Sequence, residues 1–326
     1  MDPHATRRVG RTDLHVPQLG LGTGPLGGWP TVVPRDQAVA TVRQAWHAGI
    51  RLFDTAPFYG HGLSEEHLGH VLTRQGRNNF VLSTKVGRLL VDGEPGESLF
   101  EGVPNRRPIL DFSYEGTLRS LEASVSRLGL DKVDIAYIHD PDDHHDEALA
   151  GAYRALAELR ADGVLRAVGV GMNWSGPLAR FAEEADFDCM LCAGRYTLLE
   201  QDSLDDLLAV AEAREVSVVA GGVFNSGVLI DPRAGATYNY LPAEPAVIER
   251  AQRLEKVCAE FDVPLRAAAV QFPLGHPRVA AVIVGARTAA EVDDTVAMMQ
   301  FPVPADLWAE LRRCGLVRAD APIPAG

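Results

Sequence analysis

Four side chains suited to moving a proton and a hydride stand at or just past the ends of apolar runs. Arg51-Leu52-Phe53-Asp54-Thr55-Ala56-Pro57-Phe58-Tyr59-Gly60 closes a short apolar run on a carboxylate, followed by Pro, an aromatic pair and Gly. It reads as a buried strand that delivers Asp54 to its C-terminal end and opens a loop holding up Tyr59. Phe80-Val81-Leu82-Ser83-Thr84-Lys85 ends in a lysine, and Val133-Asp134-Ile135-Ala136-Tyr137-Ile138-His139 in a histidine. Asp54, Tyr59, Lys85 and His139 are expected to meet at one rim. A phenol ionises near pH 10, and lowering it by about three units takes about 4 kcal/mol. An ammonium within about 4 Å, at an effective dielectric near 20, supplies roughly that. A buried lysine needs a carboxylate to keep its charge, and Asp54 is the candidate. His139 would orient a carbonyl or hydroxyl oxygen, and Tyr59 would give or take the proton that accompanies hydride transfer.

These residues need a scaffold that aligns strand ends. Helices are expected over 36–48, 64–73, 113–128, 148–162, 177–185, 202–214, 245–261, 265–272, 289–299 and 305–314. Strands are expected over 52–54, 81–85, 133–138, 167–171, 188–193, 216–220 and 279–284, with a further strand ending near Gly22. The alternation runs through the chain without a linker or composition break, which favours one barrel domain over 1–326 rather than two domains. Arg7 to Val16 suggests a hairpin. Ser64, before Glu65 and Glu66, is a good helix start, and His67 and His70 lie one turn apart on a solvated face. Residues 87–112 lapse into Gly, Pro and mixed charges and read as a structureless loop over the site. Gly22, Gly24 and Gly27 form a G-x-G-x-x-G, but Pro30 and Pro34 forbid the helix a dinucleotide fingerprint needs.

Asp-Thr-Ala-Pro-Phe-Tyr-Gly, Ser-Thr-Lys-Val-Gly and Ile-His-Asp occur in the order found in the aldo-keto reductase superfamily, which the chain resembles from about Val9 to about Met299. The resemblance implies a (β/α)8 TIM barrel, plugged by the N-terminal β-hairpin and followed by a C-terminal extra helix. It makes Asp54, Tyr59, Lys85 and His139 the catalytic tetrad and implies NAD or NADP as cofactor. Gly22, Thr23 and Asp54 would bind the cofactor, and Asn173 would hold the nicotinamide amide, with Met172 where the family has Ser. Gly222, Phe224, Asn225, Ser226, Gly227 and Leu229 resemble the loop over the pyrophosphate, where Gly lets backbone N–H groups approach phosphate oxygens. Gly285, Arg287, Thr288, Glu291 and Thr295 would grip the adenosine end. Glu291 favours NAD and Arg287 favours NADP, with a lean to NAD, although an acidic first helical turn explains Glu291 equally.

Composition narrows the partners. A net charge of -13 argues against nucleic acid or an anionic membrane. The segment Met1 to Arg8 lacks the apolar core of a signal peptide, and no apolar stretch is long enough to span a bilayer, so a cytoplasmic location is expected. Cys189 and Cys192 form a C-x-x-C inside an apolar run, where residues three apart face opposite sides of a strand, and they read as structural thiols. No metal site is expected, because neither His67 and His70 nor the loop from His139 to Asp146 finds a further ligand set.

Segments 193–199 and 221–227 look like the branch of L-fucose, D-threo-aldose and L-galactose dehydrogenases and pyridoxal 4-dehydrogenase. That implies a small-molecule substrate, an aldose oxidised at C1 to a lactone, with Trp29, Phe58, Arg88 and Arg106 lining its pocket. The competing readings are a general NADPH-dependent aldehyde or ketone reductase and a non-catalytic subunit like the potassium-channel β subunits.

Overall fold

Strand runs that are apolar on both faces need cover on both sides, which a barrel wrapped by helices provides. The computed structural model, which describes residues 1–324, has this architecture. Its barrel strands are β1 (Leu19–Gly22), β2 (Leu52–Asp54), β3 (Val81–Val86), β4 (Ile135–His139), β5 (Ala167–Met172), β6 (Cys189–Ala193), β7 (Ser217–Gly221) and β8 (Val279–Gly285). All pair in parallel and in chain order, and β8 closes on β1. The helices are α1 (Arg35–His47), α2 (Leu63–Leu72), α3 (Tyr114–Leu128), α4 (Arg154–Ala161), α5 (Ser175–Glu184), α6 (Leu207–Arg214), α7 (Pro245–Glu260), α8 (Leu265–Gln271), α9 (Ala289–Gln300) and α10 (Ala305–Arg313). This is the expected (β/α)8 barrel, and α10 is its extra C-terminal helix. No helix is long and apolar enough to cross a membrane among the described residues.

Two apolar layers hold it together. The larger lies between strands and helices, and α10 adds Leu307, Trp308 and Leu311 to it. The smaller fills the barrel, where Leu52, Ile135, Tyr137, Cys189 and Ile283 meet Val9, Leu14 and Val16. Those last three come from the N-terminal hairpin, whose strands Thr6–Arg8 and His15–Pro17 pair antiparallel beneath the barrel. Each contributes about 1.5–3 kcal/mol by leaving water. Cys189 belongs to the inner layer and Cys192 to the outer, both buried with free thiols, as their spacing on a strand requires.

Three expectations are corrected. Residues 87–112 are not structureless: Arg88–Asp92 and Arg106–Leu110 pair as an antiparallel ribbon. Pro108 is tolerated there because a two-stranded ribbon is all edge. Ser64 does not cap α2, which begins at Leu63 after Gly62, and its hydroxyl donates to the Thr23 carbonyl at 2.7 Å. Nor is that face solvated, since Glu65 and His67 are buried. Glu65 is met there by Arg127 at 2.6 Å and the Thr84 hydroxyl at 2.8 Å, two partners supplied by tertiary packing.

Candidate active site

Parallel register carries the polar strand ends to one rim. Asp54 of β2 lies opposite Ser83 of β3, which puts Lys85, two residues on, above Asp54 on the same inner face. His139 ends β4 opposite Gly171 of β5. The Lys85 ammonium donates to Asp54 Oδ2 at 2.6 Å and to the Thr55 carbonyl at 2.9 Å, while the Ser83 hydroxyl donates to Asp54 Oδ1 at 2.7 Å. Lys85 is only 1% exposed and Asp54 2%. Buried charges of this kind persist only when paired and hydrogen-bonded. Burial works against the charge on Lys85, but Asp54 and Tyr59 outweigh it and raise its pKa.

Tyr59 stands on the loop after β2. Gly27 and Gly60 bring the β1 and β2 loops into backbone contact, since a Cβ on Gly27 would lie 2.4 Å from the Gly60 nitrogen. The Lys85 ammonium is 4.6 Å from the Tyr59 ring centroid. Its attraction lowers the phenol pKa as expected, but burial is the larger effect and the net pKa is pushed up to about 12. The expected lowering is therefore corrected: in the resting protein Tyr59 holds its proton. The His139 ring stands edge-on to Tyr59 at 5.8 Å, with its pKa driven well below 6.5 by burial and by the charges of Lys85 and Arg88. His139 is neutral, and its buried Nδ1 has no partner among the described residues. An acid with a positive charge beside it and a neutral imidazole with spare hydrogen-bonding capacity can together handle an oxygen that gains or loses a proton.

The expected substrate residues fare differently. Trp29 stands edge-to-face with Tyr240 at 5.2 Å. Phe58 packs on His139 at 6.1 Å and under the Arg88 guanidinium at 4.5 Å, and Arg88 also reaches Asp140 at 3.2 Å. Arg106, in contrast, is committed to Glu66 at 2.7 Å.

Around the same rim lie the expected cofactor residues. Gly22 pairs with Asp54 and with Gly285 at the strand ends. Thr23 is fully buried and its hydroxyl donates to the Asp54 carbonyl at 3.0 Å, so it braces the strand end. Asn173 follows β5 and is half-buried. After β7 the backbone takes positive φ at Gly222, Asn225, Ser226 and Gly227, while Phe224 accepts the Leu229 amide at 3.2 Å. Asn225 donates to the Gly194 carbonyl at 3.0 Å, and its buried Oδ1 has no partner among the described residues. After β8, Thr288 caps α9, and Glu291 Oε2 accepts the Arg287 amide at 2.7 Å. The Arg287 guanidinium donates to Thr31 at 3.2 Å, and the Thr295 hydroxyl bonds back to the Glu291 carbonyl at 2.8 Å inside α9. An orphan acceptor beside a left-handed backbone run fits the amide and phosphate groups of a nicotinamide dinucleotide. No group of three or more His, Cys, Asp and Glu placed to hold a metal occurs among the described residues.

Three contributors escaped sequence reasoning. Ser83 had a signal, because it precedes Lys85 by two on a strand and must share its face. His61 had none: its Nδ1 donates to the Arg106 carbonyl at 2.7 Å and its Nε2 accepts from Ser98 at 3.2 Å, tying the Tyr59 loop to the ribbon. Tyr240 comes from a turn far along the chain whose sole local sign is Asn239, a residue that tolerates left-handed backbone.

Known proteins resemble this chain over nearly its whole length. The Aldo/keto reductase family model matches residues 18–315. The chain is 41% identical to pyridoxal 4-dehydrogenase of Microbacterium luteolum, covering 95% of this chain and 97% of that protein. It is 40% identical to D-threo-aldose 1-dehydrogenase of Pseudomonas sp, over 93% and 95%. L-galactose dehydrogenase of Arabidopsis thaliana is 30% identical over 89% and 86%. Among solved structures, glycerol dehydrogenase of Gluconobacter oxydans superposes with a TM-score of 0.74 at 26% identity, covering 100% of both chains.

Proposed function

We propose that this chain, which belongs to the aldo/keto reductase family and is an NAD(P)-dependent oxidoreductase, oxidises C1 of a free aldose, L-fucose or a similar sugar, to its lactone. The observation that carries the reading is similarity at 40% identity, over nearly the full length, to an enzyme named for aldose oxidation at position 1. The chemistry is consistent with it. In a cyclic hemiacetal, C1 bears both a hydroxyl that can lose a proton and a hydrogen that can leave as hydride. When bound, oxidised nicotinamide supplies the hydride acceptor. Tyr59 first gives its own proton to solvent, and its ionised form, steadied by Lys85, takes the hydroxyl proton, while Asp54 holds Lys85 and neutral His139 hydrogen-bonds to the reacting oxygen. Trp29, Phe58 and Arg88 line the sugar pocket.

Pyridoxal is the second reading, favoured by the 41% identity to pyridoxal 4-dehydrogenase. Its aldehyde closes on the neighbouring hydroxymethyl group to give another cyclic hemiacetal, so the same four residues serve. NAD is the preferred cofactor, because the exposed Glu291 carboxylate beside the adenosine-binding positions would repel a 2′-phosphate. A cytoplasmic location accords with four cysteines that are all free.

The test is incubation with L-fucose, D-arabinose, L-galactose, pyridoxal or simple aldehydes and either cofactor. Reduced cofactor and an aldonolactone, detected by absorbance and mass spectrometry, are expected, with oxidation accelerating as pH rises toward the Tyr59 pKa. Efficient NADPH-dependent reduction of simple aldehydes with no aldose turnover would make the enzyme a general reductase. A tenfold kcat/KM preference for NADP would show Arg287 outweighing Glu291.

A further inference from the structure

Beyond the cofactor-loop positions, the chain runs into a small ribbon in which Thr237–Tyr238 pairs antiparallel with Leu241–Pro242. Its two-residue turn, Asn239-Tyr240, has positive φ at both positions, 50° and 66°. Turns of this kind favour Asn followed by Gly, because Gly occupies the second position without a steric cost. Here the second position is a tyrosine, and a bulky side chain held in left-handed backbone is a sign of a role at that point.

The turn is tightly held. The Tyr240 amide donates to the Ser226 hydroxyl at 3.2 Å, and Arg195 reaches the Tyr238 hydroxyl at 3.3 Å and Asn239 Oδ1 at 3.0 Å. The Tyr238 hydroxyl in turn donates to Glu200. These bonds carry the Tyr240 ring across the rim to Trp29, on the β1 loop, where the rings meet edge-to-face with an interplanar angle of 78°. Tyr240 keeps 46% of its surface exposed. Burial first and then Asp140 raise the pKa of its hydroxyl. Trp29 follows the segment in which Gly27 packs on the Gly60 backbone of the Tyr59 loop, so the paired rings stand beside the rim that carries Tyr59.

We propose that Tyr240 is a specificity-determining residue, forming with Trp29 an aromatic roof that favours closed-ring substrates over small open-chain carbonyls. A pyranose presents a face of C–H groups and a pyridine presents a π-face, and both gain from contact with aromatic rings. An open-chain carbonyl of three or four carbons gains little. The proposal rests on the reading of the site as a hemiacetal oxidase for its natural substrate, but it concerns ring selection whatever the ring.

The test compares kcat/KM for a ring substrate that the wild type turns over, whether an aldose, pyridoxal or benzaldehyde, with kcat/KM for methylglyoxal. Tyr240→Asn removes the ring while suiting the left-handed backbone, so the turn and its amide bond to Ser226 persist. The ratio should fall about tenfold, the size of one aromatic contact, chiefly through KM for the ring substrate. Tyr240→Phe should restore the ratio. Trp29→Ala should lower it too, and the double variant should lose less than the sum of the two, because the rings act as a pair. An unchanged ratio in Tyr240→Asn overturns the proposal. So does a parallel fall for both substrates with weaker cofactor binding in a fluorescence titration, which would make the turn a cofactor clasp. A wild type that turns over no ring substrate overturns it as well. Failure of aldoses alone, with pyridoxal or benzaldehyde still accepted and the ratio still falling, would overturn only the aldose reading.

Discussion

Buried carboxylate–cation pairs occur at both ends of this barrel, and they are built differently. At the bottom, Asp134 and Asp188 stand just before β4 and β6. Asp134 Oδ2 accepts the Leu82 amide at 2.9 Å and Arg77 at 2.6 Å, and Asp188 Oδ2 accepts the Val168 amide at 2.9 Å and Arg160 at 2.8 Å. Each stitches one strand to its neighbour with a cation locked outside. A cavity of about 570 Å³ opens there, but its lining residues Arg51, Arg77 and Arg166 are already engaged by backbone carbonyls or aspartates. At the top, Asp54 holds Lys85 from below, and the ammonium also faces Tyr59. Beside that pair Thr55 Oγ1 and His139 Nδ1, and on the loop after β7 Asn225 Oδ1, have no partner among the described residues. The difference teaches that a saturated pair is a fastener, whereas a pair surrounded by spare hydrogen-bonding capacity is poised to act on something else. The cavity by itself does not separate the two.

The largest effect should follow from removing the group that the top pair serves. Tyr59→Phe is expected to cut turnover by about 10²–10⁴-fold, the usual share of a positioned acid or base, with cofactor binding nearly intact. Retention of more than about a tenth of turnover, with chemistry rate-limiting, would remove Tyr59 from the proton path.

Lys85→Met and Arg77→Met form a matched pair across the barrel. Each leaves a buried aspartate without its cation, a change that costs about 3–5 kcal/mol where the charge stays trapped. Arg77 should lie at or below the lower bound, because its side chain is 13% exposed and water can reach Asp134 more easily. The two should separate in activity. Loss of the Lys85 charge removes the only attraction opposing burial of the Tyr59 phenol, so residual oxidation should require higher pH than in the wild type. Arg77→Met should unfold at lower denaturant yet keep the wild-type pH profile in its folded fraction. If the Lys85→Met profile does not move, the coupling of the pair to Tyr59 is wrong. If the Arg77→Met profile does move, the division between fastener and working pair fails.

Legibility followed the same division between local and distant causes. Asp54, Lys85 and His139 could be read because each closes an apolar run, and in a barrel every run ends at the same rim. Their direct geometry follows from register. The sign of the Tyr59 pKa did not follow, because burial depends on loops that pack over the phenol. Those loops are held by Gly27 against Gly60 and by His61 against Arg106, contacts between segments far apart in the chain. The face carrying His67 and His70 looked solvated for the same reason: the partners of the neighbouring Glu65, Arg127 and Thr84, come from α3 and β3. The ribbon over 88–110 was hidden by Pro108 and by the long connection between its strands. Glu291, read as a possible ribose partner, is also occupied by the Arg287 amide, which one helical turn could have suggested.

The smallest expected effect sharpens the comparison through pH. His139 at the top is kept neutral by burial, aided by Lys85 and Arg88. His276, near the bottom, is also lowered by burial, but Glu212 pulls it back. An unfolded histidine titrates near 6.5, so above that pH both states hold a neutral ring and the shift has no effect on stability. Below it the unfolded chain takes up a proton that the folded chain refuses. The unfolded state then binds more protons, stability rises with pH across that window, and it is lost progressively as pH falls toward the folded pKa. His61 and His67, also lowered by burial, add to the same slope. Urea midpoints at about pH 5 and pH 7.5 should therefore differ in the wild type. The difference should shrink most in His139→Asn, whose folded pKa is furthest depressed, and less in His276→Asn. Only His139→Asn should also lower turnover, because only its ring borders Tyr59. Equal pH slopes in His139→Asn and the wild type would mean that the folded ring titrates as it does in the unfolded chain, and burial would not be what keeps it neutral.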